Sequence, residues 1–380
     1  MSLLKNITQF CRAIQFEFIP SVERQIGPLS NVHIRLLSIL EIVQIQRFVG
    51  YGGIRGRPPK DRKMIAKAFI AKVVLKLVHT RQLINCLKTD EQLRLICGWE
   101  TADAVPNESK FSRVFAEFAE MRLPEIVQNL LVSAAYKDQV VMHVVKDSVP
   151  VIAREGVTLK PATDKPKAWK KQKRLVKDGK RLPAPETRIE KQVSGKMTFD
   201  EMIQDLPKDC DYGSKTNSKG HKKTWKGYKL HAAVDDNCIP LAAILTSASV
   251  HDSQVAIPLA TQTNMLVNSC YDLMDSAYNV NDVINHSRSS GHIPLIAPWP
   301  KKPAAKEELK AEAKRKKILG WEFAEDKRYR QRGKCERFNA LFKDYYSGDN
   351  VKVRGFKKVA CHVMFGILTL TAALLLNLSG

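Results

Sequence analysis

The sequence lacks closely spaced cysteines. Even the nearest two of its eight cysteines, Cys86 and Cys97, are too far apart for a CxxC pair or for the spacing of a zinc finger. This argues against a structural zinc site. Scattered free thiols are typical of proteins in a reducing cytosol.

The amino terminus lacks the apolar core of a signal peptide. Lys5, Arg12 and Glu17 interrupt its apolar residues. We therefore expect a cytoplasmic protein.

A long apolar run is present only near the other end. Residues 359–378 are about as long as one membrane span, but His362, Thr369, Thr371 and Asn377 interrupt them. We expect a helix packed across a β-sheet of the same chain rather than a membrane anchor.

Acidic residues are scarce relative to basic ones. The 380 residues include 39 Asp and Glu against 62 Lys and Arg, which gives a formal net charge of +23. Such an excess predicts a polyanionic partner, most simply nucleic acid. The hydrophobic share of 44% is higher than ribosomal or chromatin proteins need, so a globular protein with a basic face is expected.

The first third of the chain is predicted to be helical. Residues 1–60 read as a helical and linker region, in which residues 55–60 are typical of a charged proline-rich linker or, less often, of an arm that enters a minor groove. Residues 61–135 form the next unit, an all-α DNA-binding domain or else a purely structural helical cap. Its helices are predicted at 61–78, 80–87, 93–98 and 107–118, with Asp61 and Asn107 as caps.

A buried strand is predicted at residues 139–147. It ends in Asp147, at the edge where α/β sheets place their ligands, although a simple turn that ends the strand remains the alternative. The basic insertion 151–222 follows, with ten Lys or Arg within residues 160–181. This stretch suits contact with a DNA backbone, or else a solubilising linker.

The remaining elements follow the order of a ribonuclease-H-like sheet. They are a hairpin over 224–247 that turns at Asp235, a helix from His251 with Asp252 as its cap, a strand that ends at Asp275, a helix at 279–287, a strand at 292–297 and a charged helix at 301–317. We predict a mixed α/β fold, with this catalytic domain spanning 136–380 behind the all-α domain. His231 and His251 are interpreted as core or capping residues rather than metal ligands.

One segment near the carboxyl terminus combines an acid with cations. Tyr329, Arg332, Glu336 and Lys343 would lie within about 60° of one another on a helix. A carboxylate flanked by cations suits phosphodiester chemistry, whereas ordinary ion pairs on an exposed helix are the alternative.

Three carboxylates therefore stand out: Asp147, Asp275 and Glu336. If their elements are neighbours, they form an oxygen-rich site suited to Mg²⁺, with Mn²⁺ as a substitute. Two such ions could activate a water or a 3′-hydroxyl and stabilise the leaving oxygen.

These motifs together resemble the DDE transposases of bacterial insertion sequences, especially the insertion sequence 4 and 5 groups. The resemblance covers most of residues 60–370 and rests most strongly on the Tyr-x2-Arg-x3-Glu-x6-Lys signature. The other residues that carry it are Asp147-Ser148, Gly227-Tyr228-Lys229-Leu230-His231, Pro240-Leu241, His251-Asp252-Ser253 and Asp275-Ser276-Ala277-Tyr278. Ser148 departs from the glycine that the family often has, and the basic insertion is long.

The resemblance implies a function. Asp147, Asp275 and Glu336 would hold the metal ions. Hydrolysis at the terminal inverted repeats would free a 3′-hydroxyl that attacks target DNA. Arg332 and Lys343 would bind phosphates, and Tyr329 would stack or hydrogen-bond beside the cut.

The expected partner is double-stranded DNA, as inverted repeats and as target. The protein is expected to be a homodimer on DNA in the bacterial cytoplasm, associated with the nucleoid. Two alternatives stay open: a catalytically inactive or domesticated DNA-binding protein, and a stand-alone nuclease.

Overall fold

The chain combines a helical amino-terminal region with a mixed β-sheet. A computed structural model describes residues 7–50, 61–157, 176–177, 180–181, 186–216, 220–298 and 303–378. The arm expected at 55–60 and most of the basic stretch at 160–181 lie outside the described residues.

Eight helices precede the sheet in the described part of the chain. They are α1 (Ile7–Ala13), α2 (Ile19–Ile26), α3 (Asn31–Val43), α4 (Arg62–Val74), α5 (Thr80–Thr89), α6 (Glu91–Cys97), α7 (Glu108–Glu120) and α8 (Leu123–Ala135). A π-helical turn, Ile14–Phe18, joins α1 to α2.

Helix caps explain where several of these helices begin. Asn107 accepts a hydrogen bond from the backbone N–H of Lys110, as its predicted capping role requires. The cap predicted at Asp61 is wrong, because this residue has a φ of 71° and its side chain makes no capping bond.

The sheet is built from antiparallel and parallel pairs. Its strands are β1 (Val140–Ile152), β4 (Asp211–Thr216), β5 (Lys222–Val234), β6 (Pro240–Ser247), β7 (Asn268–Met274) and β8 (Ile293–Ile296). The order is β4-β5-β1-β7-β8, and β6 also pairs with β5. The strands β4, β5 and β6 are joined by antiparallel pairing, β1 is antiparallel to β5, and β7 and β8 run parallel to β1. A separate short hairpin joins β2 (Val176–Lys177) to β3 (Lys180–Arg181).

The first strand does not end at Asp147. It continues through Pro150 to Ile152, paired with β5. The backbone N–H of Ala153 donates to the backbone carbonyl of Lys226 on β5. Because N–H groups point alternately to the two sides along a strand, the nitrogen of Pro150 faces away from β5. On that side the pairing with β7 has already stopped at Lys146. The proline therefore breaks no hydrogen bond, and Asp147 lies within the strand.

Eight further helices accompany the sheet in the described residues. They are α9 (Arg188–Val193), α10 (Phe199–Asp205), α11 (Ala256–Leu266), α12 (Asn281–Ser289), α13 (Pro303–Leu319), α14 (Ala324–Tyr329), α15 (Gly333–Tyr345) and α16 (Phe356–Asn377). The first two, with β4, show that the insertion 151–222 contains regular structure.

The continuous helix predicted over 329–343 is wrong. A 3₁₀ turn, Arg330–Arg332, separates α14 from α15. Tyr329 thus ends one helix, and Glu336 lies in the first turn of the next.

The apolar helix α16 is a core helix, although not where the sequence predicted. By length and composition it could cross a membrane, yet 78% of its most apolar window is buried inside the chain. It packs mainly against α3, α4, α7 and α8, and it contacts the sheet only weakly at β6. One hydrophobic core therefore runs through both predicted domains, and the domain boundaries stay a prediction.

Candidate active site

The strand register places Asp147 beside Asp275. On the parallel strands β1 and β7, Lys146 pairs with Met274. The next residue in each segment is an aspartate, within β1 at Asp147 and directly after β7 at Asp275, so the two carboxylates lie side by side. Sequence alone predicted both residues, but their adjacency depends on the pairing of the two strands.

Asp147 is a buried carboxylate with incomplete hydrogen bonding. It is only 4% exposed. Its Oδ2 accepts a hydrogen bond of 3.3 Å from Nδ2 of Asn339, whereas its Oδ1 has no hydrogen-bond partner among the described residues. Burial raises the pKa of Asp147, and the charge of Asp275 adds to the rise, while Lys215 and Arg332 oppose it.

Asp275 is held by the turn that it begins. Its Oδ1 accepts a hydrogen bond of 2.9 Å from the backbone N–H of Ala277, which caps the 3₁₀ turn Ser276–Tyr278. The hydroxyl of Tyr278 is buried without a hydrogen-bond partner in the described part of the chain. Burial raises the pKa of Tyr278 well above its usual value, and the nearby charges of Asp252, Asp147 and Asp275 add to the rise.

Glu336 is paired with a cation of the same signature. Nη2 of Arg332 donates to Oε1 of Glu336 over 3.0 Å, and the side chain of Glu336 is 65% exposed. Within the ranges that the structure describes, no group of three or more His, Cys, Asp or Glu side chains is arranged to hold a metal ion. The structure thus brings Asp147 and Asp275 together, whereas Glu336 is paired with Arg332 and forms no metal-binding group with them in the described residues.

The other two signature residues have different surroundings. The hydroxyl of Tyr329 donates to the backbone carbonyl of Met274 over 3.1 Å, which ties the end of α14 to the end of β7. Burial raises the pKa of Tyr329, with Arg332 opposing the rise. Lys343 lies half-buried two turns beyond Glu336 on α15.

Asp252 belongs to the site rather than to a helix cap. The predicted cap is wrong, because His251 caps the 3₁₀ turn Asp252–Gln254 by accepting from Ser253. Asp252 instead accepts hydrogen bonds from Ser148 Oγ at 2.9 Å and from Lys229 Nζ at 3.0 Å. These partners come from distant strands, so no local signal could have identified the cluster.

Asn339 is a second residue that the sequence reading missed. It lies three residues after Glu336 on α15, where a side chain shares the same helix face. Its Oδ1 is buried and has no hydrogen-bond partner within the described ranges. The helical offset from Glu336 was the signal that could have indicated it.

The opposite face of the sheet carries a buried ion pair. Nζ of Lys146 lies 2.7 Å from Oδ1 of Asp272, and both side chains are at most 2% exposed. Ser287 and His292 bond the other oxygen of Asp272. Burial opposes ionisation of Asp272, but these partners lower its pKa below the usual value. This network fixes the pairing of β1 with β7, and hence the position of Asp147.

The predicted histidine roles agree with the structure. His231 is fully buried and shares a hydrogen bond of 3.0 Å with Thr246. Burial lowers its pKa to about 4, so it is neutral at pH 7. Asp235 forms the predicted hairpin turn by accepting from the N–H groups of Asn237 and Ile239.

A divalent cation fits part of this arrangement. Ions such as Mg²⁺ prefer oxygen ligands, and Asp147 and Asp275 supply adjacent carboxylates. The buried Oδ1 atoms of Asp147 and Asn339 lack the hydrogen bonds that such atoms normally make. A bound cation would satisfy them, and it would also offset the repulsion between the two aspartates.

Comparison with known families agrees with this geometry. Residues 169–372 match the model described as Transposase DDE domain, a range that includes Asp275 and Glu336 and begins after Asp147. Residues 30–117 match the model described as Transposase domain (DUF772). Neither the curated proteins nor the solved structures gave a match. The two family matches support a role as a DNA transposase, and the chain belongs to the transposase DDE domain family.

Proposed function

We propose that the protein cuts DNA at the ends of its own element and joins those ends to target DNA. The observation that carries this proposal is the adjacency of Asp147 and Asp275 on parallel strands. Two neighbouring carboxylates, one of them buried with a free oxygen, are costly to a fold unless they hold a cation. A cation bound by these carboxylates could catalyse cleavage and joining of phosphodiester bonds.

The catalytic domain is proposed to be ribonuclease-H-like. The antiparallel β6-β5-β1 set and the parallel β7 and β8 on the other side of β1 support this assignment. The helix α15, which carries Glu336, packs against β1 and β5. This packing supports a third catalytic position for Glu336.

Each signature residue has a proposed role. Asp147 and Asp275 hold Mg²⁺, or Mn²⁺ in its place, and Glu336 joins them when it separates from Arg332. Divalent ions bound there would polarise the phosphate and activate the attacking water or 3′-hydroxyl. Arg332, once separated, and Lys343 bind phosphates beside the cut.

Tyr329 supports this site from the end of β7. The hydrogen bond from its hydroxyl to the carbonyl of Met274 keeps the 3₁₀ turn Arg330–Arg332 close to Asp275. Its half-buried ring is proposed to contact the DNA end beside the cut.

The partners follow from the reaction. The substrates are double-stranded DNA at the inverted repeats and at the target, for which the net charge of +23 is suited. Bringing two ends together favours a homodimer on DNA. The proposed location is the bacterial cytoplasm, at the nucleoid.

The proposal is tested by cleavage and joining with paired element ends. The wild type is expected to give Mg²⁺-dependent cleavage followed by joined products, while Glu336→Gln binds the ends without cutting them. Glu325→Gln is the matched control, because Glu325 is exposed on α14. Cleavage without joining would indicate a stand-alone nuclease instead.

A DNA-binding protein without catalysis is the second candidate. The ion pair between Arg332 and Glu336 favours this candidate, because Glu336 is engaged by a cation and does not complete a metal-binding group with the two aspartates in the described residues. End binding without cleavage by the wild type, in either Mg²⁺ or Mn²⁺, would support this candidate and overturn the first.

A further inference from the structure

Basic side chains line a cavity that the proposed reaction does not use. The cavity has a volume of about 350 Å³. It lies between α4, the beginning of α5, α7, the segment 347–355 and the first half of α16. Neither Asp147 nor Asp275 lines it.

The most informative residue of this cavity is Lys72. The residue is only 9% exposed, and it lines the cavity wall. No hydrogen bond, ion pair or ring contact of its ammonium group is found with any residue that the structure describes. Burial lowers the pKa of Lys72 to about 8, so the amine is still mostly protonated at pH 7. The ammonium group of this mostly buried residue therefore lies at the cavity without a counter-charge.

The other charged groups of the cavity are also mostly cationic. Arg154, Lys352, Arg354 and Lys358 line it and are exposed. In the described ranges none of these four forms an ion pair. Five basic side chains therefore face one cavity.

Acidic side chains do not compensate for this charge. Glu108 is the acid among the lining residues, and Arg81 already contacts it at 3.3 Å. His362 shares a hydrogen bond of 3.1 Å with the carbonyl of Ser347. Burial, with the charge of Lys72, lowers the pKa of His362 to about 4, so this ring is neutral.

The cavity floor strengthens attraction to an anion. Phe69, Phe115 and Phe365 form an aromatic cluster beside Lys72, with centroid separations of 4.9 to 6.2 Å. Apolar walls lower the local dielectric constant, which strengthens the interaction between opposite charges. An anion with several oxygens could accept hydrogen bonds from Lys72 and from the arginines at the rim.

We propose that this cavity binds a phosphate group. The ligand is a phosphate of a DNA backbone or a free phosphate compound, since these offer the same oxygens and charge. The site lies on the helical region that matches the DUF772 transposase domain and on the segment that enters α16. Occupation would supply the counter-charge that Lys72 lacks.

The first test is calorimetric titration of the full chain with pyrophosphate. Lys72→Met is expected to weaken binding about tenfold or more, as loss of a hydrogen bond from a charged group would do. Lys67→Met is the matched control, because Lys67 lies on α4 outside the cavity, and it should retain wild-type affinity. The double variant Lys352→Gln/Arg354→Gln changes only exposed residues of the cavity and should also weaken pyrophosphate binding. It therefore tests the proposal even if Lys72→Met fails to fold.

A second arm distinguishes the two sources of phosphate. If the ligand is DNA, duplex DNA should displace pyrophosphate, and Lys72→Met should weaken duplex binding. If the ligand is a free compound, pyrophosphate should bind equally well with and without duplex DNA. The proposal is overturned if both cavity variants bind pyrophosphate and DNA as the wild type does, or if the wild type binds neither. These readouts are independent of strand cleavage.

Discussion

Nη2 of Arg332 lies 3.0 Å from Oε1 of Glu336, so the acid of the signature is paired with the first of its two cations. The pair spans one turn at the start of α15 and remains accessible to solvent. Exposed pairs of this kind contribute little to stability. Their separation on DNA is therefore energetically accessible, with phosphate taking the place of the carboxylate beside Arg332.

Arg332→Gln should separate the effect on function from the effect on stability. We expect a change in the free energy of unfolding of less than about 1 kcal/mol, because the ion pair is exposed. End cleavage should fall by at least about tenfold, since the variant removes a phosphate contact. Arg330→Gln is the control, because Arg330 also pairs with an acid, Glu322, but lies outside the signature. Equal cleavage by the two variants would refute the role given to Arg332.

Asp147→Asn should stabilise the metal-free protein at pH 7. It removes a buried charge while keeping an acceptor for Asn339, and we expect a gain of about 1–3 kcal/mol. Because burial raises the pKa of Asp147, the folded state binds the proton more tightly than the unfolded state. The stability that protonated Asp147 contributes should therefore be lost as pH rises from the unfolded pKa, about 3.9, through the higher folded value.

Chemical denaturation at several pH values measures this effect. The advantage of Asp147→Asn over the wild type in the free energy of unfolding should grow across this pH range, whereas Asp344→Asn, a control at an exposed residue of α15, should follow the wild type. Added Mg²⁺ should stabilise the wild type and not Asp147→Asn. A stability profile of Asp147→Asn that matches the wild type would show that the burial of this carboxylate has no energetic consequence.

Asn339→Ala should lower the affinity of the site for its divalent cation. The amide orients Asp147 and presents its own buried Oδ1, so its removal should raise the Mn²⁺ concentration for half-maximal binding by about tenfold or more. Electron paramagnetic resonance of free Mn²⁺ measures this directly. Asn350→Ala, at an exposed position, should leave the affinity unchanged. An unchanged Mn²⁺ affinity in Asn339→Ala would show that Asn339 does not support cation binding.

Gly366→Ala tests the burial of α16. A Cβ at this position would lie 2.2 Å from the carbonyl oxygen of Tyr346, so the helix would have to shift. We expect a loss of about 1–3 kcal/mol in the free energy of unfolding. At Gly333, which begins α15, a Cβ would meet nothing within 4 Å, and Gly333→Ala should be neutral or slightly stabilising. A neutral Gly366→Ala would contradict the core position of α16.

Local signals predicted much of the fold. The cap at Asn107 and the turn at Asp235 depend on neighbours within a few residues, and both are present. The strand that ends before Asp275 and the helices on either side of it were also predicted within a few positions. Such features follow from capping and turn chemistry, which the sequence displays directly.

Several of the errors involve distant partners. Pro150 suggested the end of a strand, and only the position of β7 shows why it is tolerated. Asp252 looked like a cap because Ser148 and Lys229 approach it from other strands. The apolar helix α16 was expected on the sheet, whereas packing against the amino-terminal helices decides its place. Tertiary contacts of this kind leave no periodic pattern in the sequence.

Parallel measurement of end binding and end cleavage with Asp275→Asn tests the central claim most directly. Asparagine is a good capping residue, so the bond to Ala277 and the turn should be retained while the charge is lost. The account predicts wild-type binding and loss of Mg²⁺-dependent cleavage in Asp275→Asn, with full cleavage in the control Asp282→Asn on α12. Cleavage by Asp275→Asn at the wild-type rate would contradict it.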